Sequence, residues 1–180
     1  MNKESQVVFL VGMPGCGKSY LGAEAARLAK VDFVDLDKAI ADTTQNSISE
    51  LFESLGEVGF RNIEAAVLRN LLPHSTSRLI VATGGGTPCF HNNMEWMNEN
   101  GITVWMRCDL ELLEERLVSE YESRPLFANS AQTLKAQIEN LWQKRHEFYA
   151  QSRVEISIDK GLRPDLFTNR LLLSTFDKRQ

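Results

Sequence analysis

Cysteine and histidine are scarce in this sequence, with three of each in 180 residues. Cys16, Cys89 and Cys108 are odd in number and share no metal-ligand spacing, so neither a disulfide framework nor a zinc site is indicated. Reduced thiols in a cytoplasmic protein are the expectation. His74, His91 and His146 are scattered, which suits surface or hydrogen-bonded roles. A basic excess is also missing. Lys and Arg number 20 against 24 Asp and Glu, a formal charge of -4, which argues against a general nucleic-acid surface. No apolar run approaches the roughly 18 residues of a membrane-spanning helix. The opening "MNKESQ" leads straight into a strand pattern, so no signal peptide is read there. Repeats and low-complexity tracts are absent as well.

What is present is ordinary for a globular chain, 43% hydrophobic and 24% charged. The length suits one domain over 1–180 with a full core and is too short for two comfortable ones. Apolar, β-branched runs recur as "VVFLVG" (7–12), "VDFVDLD" (31–37), "RLIVATGGG" (78–86), "ITVWM" (102–106) and "VEISI" (154–158). Most are continuous, as strands buried on both faces of a parallel sheet are. Helical patterns lie between them: Leu21, Ala25 and Leu28 mark one face, and Phe60, Ile63, Val67 and Leu71 another. "SISE" at 47–50 reads as a capping box, and Gly56 suits a helix end. Segments 109–118 and 131–149 supply further helices. This alternation defines an α/β layered domain. One long polar stretch, "YESRPLFANSAQ" (121–132), reads as a loop of the length that lids have.

"GMPGCGKS" (12–19) meets the Walker A pattern between a strand and a helix. Gly12, Gly15 and Gly17 allow successive N–H groups to converge on phosphate oxygens. Lys18 adds a mobile positive charge, Ser19 is a magnesium ligand by type, and the helix start adds its dipole. Cys16 reads as a small filler in the loop. Such a loop alone does not separate a switch, a motor and a small-molecule kinase.

Other groups bear on the second substrate. Asp35 and Asp37 fall at the end of the second strand run, where alternation puts both carboxylates on one face at the ligand-binding edge. The competing reading makes Asp37 a helix cap. Arg61 and Glu64 are spaced to pair on a helix, either as a surface ion pair or with Glu64 holding Arg61's fork for a carboxylate. "ATGGGTP" leaves Gly84, Gly85 and Gly86 bare after a buried strand, for close ligand approach or a plain tight turn. Arg145 continues the apolar stripe of Leu134, Ile138 and Leu141, so it either snorkels outward or meets an anion in a polar pocket. Arg124, ahead of the stiffening Pro125, is a closing arginine or an ordinary solvated one.

Taken in order, "GMPGCGKS", "VDLD", "GFRNIE", "TGGG", "RPL" and "KRHEFY" resemble the shikimate kinase family over nearly the whole chain. The resemblance implies a three-layer P-loop kinase fold, a five-stranded parallel sheet flanked by helices, with a mobile lid at about 119–132. It implies transfer of the ATP γ-phosphoryl to the 3-hydroxyl of shikimate, on the route to chorismate and aromatic amino acids. By matching position, Asp37 binds shikimate's ring hydroxyls, Arg61 and Arg145 hold its carboxylate, and the glycines 84–86 contact it through the backbone. Lys18, Asp37 and Arg124 are the catalytic candidates. ATP falls to Gly15, Cys16, Gly17, Lys18, Ser19, Tyr20, Arg116 and Arg124, with Arg163 in "DKGLRPD" a looser match. Mg²⁺ falls to Ser19 directly and Asp35 through water. ATP and shikimate are the expected partners of a monomer, without nucleic acid or membrane. Two departures stand out: Tyr20 replaces a small hydroxyl residue, and the lid lacks the glycine common before its arginine. Rival readings are a kinase for another sugar acid such as gluconate and a catalytically silent nucleotide-binding regulator.

Overall fold

Strands that run parallel cannot be joined by tight turns, so each connection must cross a face of the sheet, and here helices make the crossings. The computed structural model describes residues 6–72, 78–118 and 133–176. Among these, five strands form one parallel sheet: β1 (Gln6–Val11), β2 (Asp32–Asp35), β3 (Arg78–Ala82), β4 (Ile102–Cys108) and β5 (Val154–Ile158), in the spatial order β2-β3-β1-β4-β5. The helices are α1 (Lys18–Ala29), α2 (Leu36–Thr44), α3 (Ile48–Asn70), α4 (Asn93–Asn100), α5 (Leu110–Val118), α6 (Leu134–Tyr149) and α7 (Pro164–Thr175). A short 3-10 turn covers Thr87–Cys89.

The centre of the sheet is the driest part of the molecule. Val8, Phe9, Leu10 and Val11 of β1 are fully buried, with Ile80 and Val81 on one side and Val104 and Met106 on the other. That is why these runs are continuous in sequence: both faces are covered. The expected α/β architecture and five parallel strands are present. The second strand is shorter than its run, ending at Asp35 rather than Asp37. Two helices, α4 and α7, lie outside the helical stripes of the sequence. In α4 only Asn93, Met94 and Met97 are buried, too few to announce a face.

The strand order decides where ligands meet. From β1 the chain moves one way to β3 and β2 and the other way to β4 and β5, so the carboxyl edge of β1 is the switch point of an open sheet. In the β1–β3 register Leu10 faces Ala82. The glycine loops that follow these two strands therefore leave the sheet side by side. Thr83 ties them, its N–H and Oγ1 donating to the Leu10 carbonyl at 3.2 and 2.9 Å.

Candidate active site

Gly12, Gly15 and Gly17 adopt φ of 145°, 81° and 95°, values that side chains strongly disfavour, and so wrap the loop back on itself. Gly17 also occupies the cap position of α1 and offers no side-chain acceptor. The N–H groups of the first turn are thus left for an anion, with the helix dipole behind them. Lys18 is buried against the loop, its Nζ donating to the carbonyl oxygens of Gly12 and Met13, both at 2.9 Å, and facing Cys16 Sγ at 3.6 Å. Arg116 on α5 donates through Nη1 to the carbonyls of Gly15 and Cys16 at 3.3 and 3.2 Å. Cys16 is completely buried, as a filler should be, while Ser19 and Tyr20 are exposed at the start of α1.

On the other side of the edge, the chain turns between the two aspartates. Asp35 caps α2, accepting from the Lys38 N–H at 3.2 Å, and Asp37 stands in the first helical turn. The expectation that strand alternation aligns both carboxylates is therefore corrected, and so is the identity of the cap. A cap side chain satisfies backbone N–H groups that a strand residue would never meet, and this ends β2 early. Asp37 stays open to solvent on one side, with the Gly84 backbone and the Glu64 carboxylate close on the other. Burial first, then the charges of Asp35 and Glu64, push its carboxyl up to about 6, against the opposing pull of Lys18 and Arg61.

The Arg61–Glu64 pair is not a surface bridge. Glu64 is fully buried and Arg61 is 5% exposed. Arg61 Nη1 donates to Glu64 Oε2 at 2.8 Å, and Nη2 lies 3.4 Å from Glu57 Oε1. The guanidinium is stacked 4.4 Å from the centre of the Phe90 ring, with Phe60 at 5.1 Å. Its Nε is buried and has no acceptor among the described residues. Glu64 takes a second bond, from Thr87 Oγ1 at 2.7 Å.

The three glycines after β3 each back onto a different part of this assembly. A β-carbon at Gly84 would lie 3.0, 3.1 and 3.2 Å from Thr87 Oγ1, Glu64 Oε1 and Asp37 Oδ1. One at Gly85 would meet Pro14 of the phosphate loop at 2.8 Å, and one at Gly86 would collide with the Arg61 guanidinium. Close approach, not merely a turn, requires glycine here.

Arg145 on α6 is 8% exposed and pairs with no carboxylate among the described residues. Both Arg145 and Arg61 act on the Cys89 thiol, which burial pushes up to about 11 against the pull of the two cations. Both cations thus lie near enough to the Cys89 turn for their charges to act on it. Cys89 and Tyr149, whose hydroxyl donates to the Gly85 carbonyl at 2.5 Å, were not foreseen as site residues. Tyr149 lay inside "KRHEFY", but nothing in its spacing names a partner 64 residues away.

Arg163 stays at the surface, 70% exposed and paired with Asp165. It makes no contact with the phosphate loop among the described residues. Arg124 and the segment 119–132 lie outside the described residues. A separate shallow groove of about 490 Å³, lined by Asn62, Ala65, Ala66, Arg69, His91 and Asn92, contains none of the groups above.

A phosphate loop at the switch point of a parallel sheet, beside a glycine loop flanked by cations and an aspartate, defines a P-loop kinase of small molecules. Residues 14–174 match the family model described as shikimate kinase. A shikimate kinase of Azobacteroides pseudotrichonymphae is 36% identical over 163 residues, 90% of this chain and 95% of that protein. Among solved structures, shikimate kinase from Bacteroides thetaiotaomicron superimposes with a TM-score of 0.85 at 32% identity, covering 93% of this chain and 97% of that one. Shikimate kinase from Acinetobacter baumannii in complex with shikimate gives 0.87 at 30% identity, covering 99% and 97%. The chain belongs to the shikimate kinase family.

Proposed function

We propose that this chain transfers the γ-phosphoryl group of ATP to the 3-hydroxyl of shikimate, releasing shikimate 3-phosphate and ADP. The observation that carries this reading is that two buried arginines flank the loop after β3, Arg61 packed behind Gly86 and Arg145 on the helix whose Tyr149 bonds the Gly85 carbonyl. Two buried cations facing one turn call for an anion, and the Arg61 Nε still needs an acceptor. A carboxylate supplies both. The adjacent Asp37 and the bare backbone of Gly84, Gly85 and Gly86 suit hydroxyl groups on the same small molecule.

In this reading the residues divide the work. Gly15, Cys16, Gly17 and the start of α1 present N–H groups to the phosphates, and Lys18 exchanges loop carbonyls for phosphate oxygens. Asp37 orients the attacking hydroxyl and accepts its proton late, because a loose transition state needs alignment more than a strong base. Arg61 and Arg145 hold the carboxylate, and Glu64 keeps Arg61's fork in place. Arg116 steadies the phosphate loop from behind and belongs to the nucleotide side. For Arg124, Tyr20 and Arg163 the assignment rests on motif position alone.

The donor set also fits Mg²⁺. The Ser19 hydroxyl is exposed beside the phosphate loop, and Asp35 commits one carboxylate oxygen, Oδ1, to its cap. Two hard oxygen donors without a closed cage suit an ion that keeps several waters and binds phosphates. When bound there, Mg²⁺ neutralises charge on the phosphate oxygens.

Every proposed group comes from one chain, which supports a monomer with all of 1–180 in one kinase domain. Free Cys16, Cys89 and Cys108 support a cytoplasmic setting. No described helix is long and apolar enough to cross a membrane.

The test is ADP release with Mg²⁺·ATP and shikimate, quinate, gluconate or no acceptor, with the product identified by mass. Release that depends on shikimate is expected. Preference for gluconate would make the chain a different sugar-acid kinase, and ATP binding without acceptor-dependent release would make it a silent regulator.

A further inference from the structure

Tyr149 closes α6 four residues after Arg145, so both side chains project from one helix face. Its ring is fully buried beside Trp105, at 6.2 Å between centres. The hydroxyl reaches out of this apolar setting to the seam between the two glycine loops. It donates to the Gly85 carbonyl at 2.5 Å and stands 3.9 Å from Met13 Sδ of the phosphate loop. Arg145 stands close enough for its positive charge to act on the same phenol. Burial holds the phenol above the ordinary tyrosine range, so it remains a donor at any working pH.

One hydroxyl therefore connects the helix that carries a clamp arginine to the backbone of the acceptor loop. A fixed Gly85 carbonyl also fixes the plane of the Gly85–Gly86 peptide, whose N–H must point the opposite way. Without the hydroxyl, the Gly85 carbonyl loses its bond to α6, and the loop and the helix that carries Arg145 are no longer held in register. We propose that Tyr149 is a positioning residue for the acceptor: its hydroxyl ties the helix that carries Arg145 to the Gly85–Gly86 peptide, and so sets the spacing one carboxylate requires. Met13 meets it only through a weak sulfur contact, so the nucleotide side is affected far less.

The proposal rests on shikimate being the acceptor, and wild type is assayed alongside Tyr149→Phe, which keeps the ring and removes the hydroxyl. The loss of one hydrogen bond predicts a rise of about tenfold in KM for shikimate, with KM for ATP held within about twofold. Trp142→Phe, in the same aromatic cluster, is the control: it lowers Tm without changing the ratio of the two KM values. Equal movement of both KM values in Tyr149→Phe, or movement of neither, overturns the proposal. Wild type without shikimate-dependent ADP release sinks the acceptor reading and this role with it. Should Tyr149→Phe fail to fold, 3-fluorotyrosine at 149 keeps the bond but alters its strength. KM for shikimate then shifts alone, and an unchanged value rejects the role.

Discussion

Asp37 is held between opposing demands. Lys18 and Arg61 favour its charge, while burial, Asp35 and Glu64 oppose it, and the opposition prevails. Its folded value of about 6 lies above the ordinary 3.8, so between these pH values the folded protein binds more protons than the unfolded chain. The contribution of Asp37 to stability is therefore fully present below about 3.8 and is lost as pH rises through about 6. In metal-free protein, Asp37→Asn gains stability over wild type at pH 7.5, and the gain vanishes near pH 4; urea midpoints at the two pH values measure it. A gain that is the same at both pH values would contradict the raised carboxyl. The same variant turns over about 10²- to 10⁴-fold more slowly while still binding ATP, as equilibrium nucleotide binding checks. Arg61→Lys keeps a charge near Glu64 but loses the fork and the stack on Phe90. KM for shikimate rises by about 10- to 100-fold, the range for lost charge-assisted hydrogen bonds; an unchanged KM would remove Arg61 from the clamp.

Among the elements, α3 shows how local sequence and site geometry are joined. Ser47 and Glu50 form the full capping box, at 3.2 and 2.7 Å, so the helix begins where "SISE" says. At Gly56 the helix is broken, with φ 66° and ψ -179°, a conformation open essentially to glycine. The break sets the capped first turns at an angle to the stretch carrying Arg61 and Glu64, and Phe52 stacks on Phe60 across it at 4.3 Å. No atom lies within 4 Å of where a β-carbon at Gly56 would stand. Gly56→Ala therefore meets no steric clash, and backbone strain alone destabilises it, by about 1–3 kcal/mol. Urea unfolding reads this directly, and a loss below about 0.5 kcal/mol, the scale of an ordinary surface change, would mean α3 straightens. The element β2–α2 teaches the opposite lesson. Its apolar run continues past Asp35, but the cap stops the strand, because two aspartates in sequence do not say which one turns toward backbone N–H groups.

For the whole molecule, the sheet order is what makes one site from distant segments. Placing β1 between β3 and β4 sets the phosphate loop beside the acceptor loop, and α6 then brings Arg145 over from the far end of the chain. A chelator should abolish shikimate-dependent ADP release yet leave Tm without nucleotide unchanged, since no three ligating side chains among the described residues cluster as a structural metal site would. A fall in Tm would reveal a metal that holds the fold. The amino-acid sequence by itself determined the phosphate loop, the central strands and the start of α3. These depend on φ, on hydrophobic runs and on bonds to neighbours three residues away, all of which are written locally. Only the tertiary structure decided that Arg61 and Glu64 are dry, that Arg145 is buried rather than snorkelling outward, that Asp35 rather than Asp37 caps α2, and that Tyr149 reaches Gly85. Each depends on which groups lose water and which meet across tens of residues, and that is set by packing of the layers rather than by spacing along the chain.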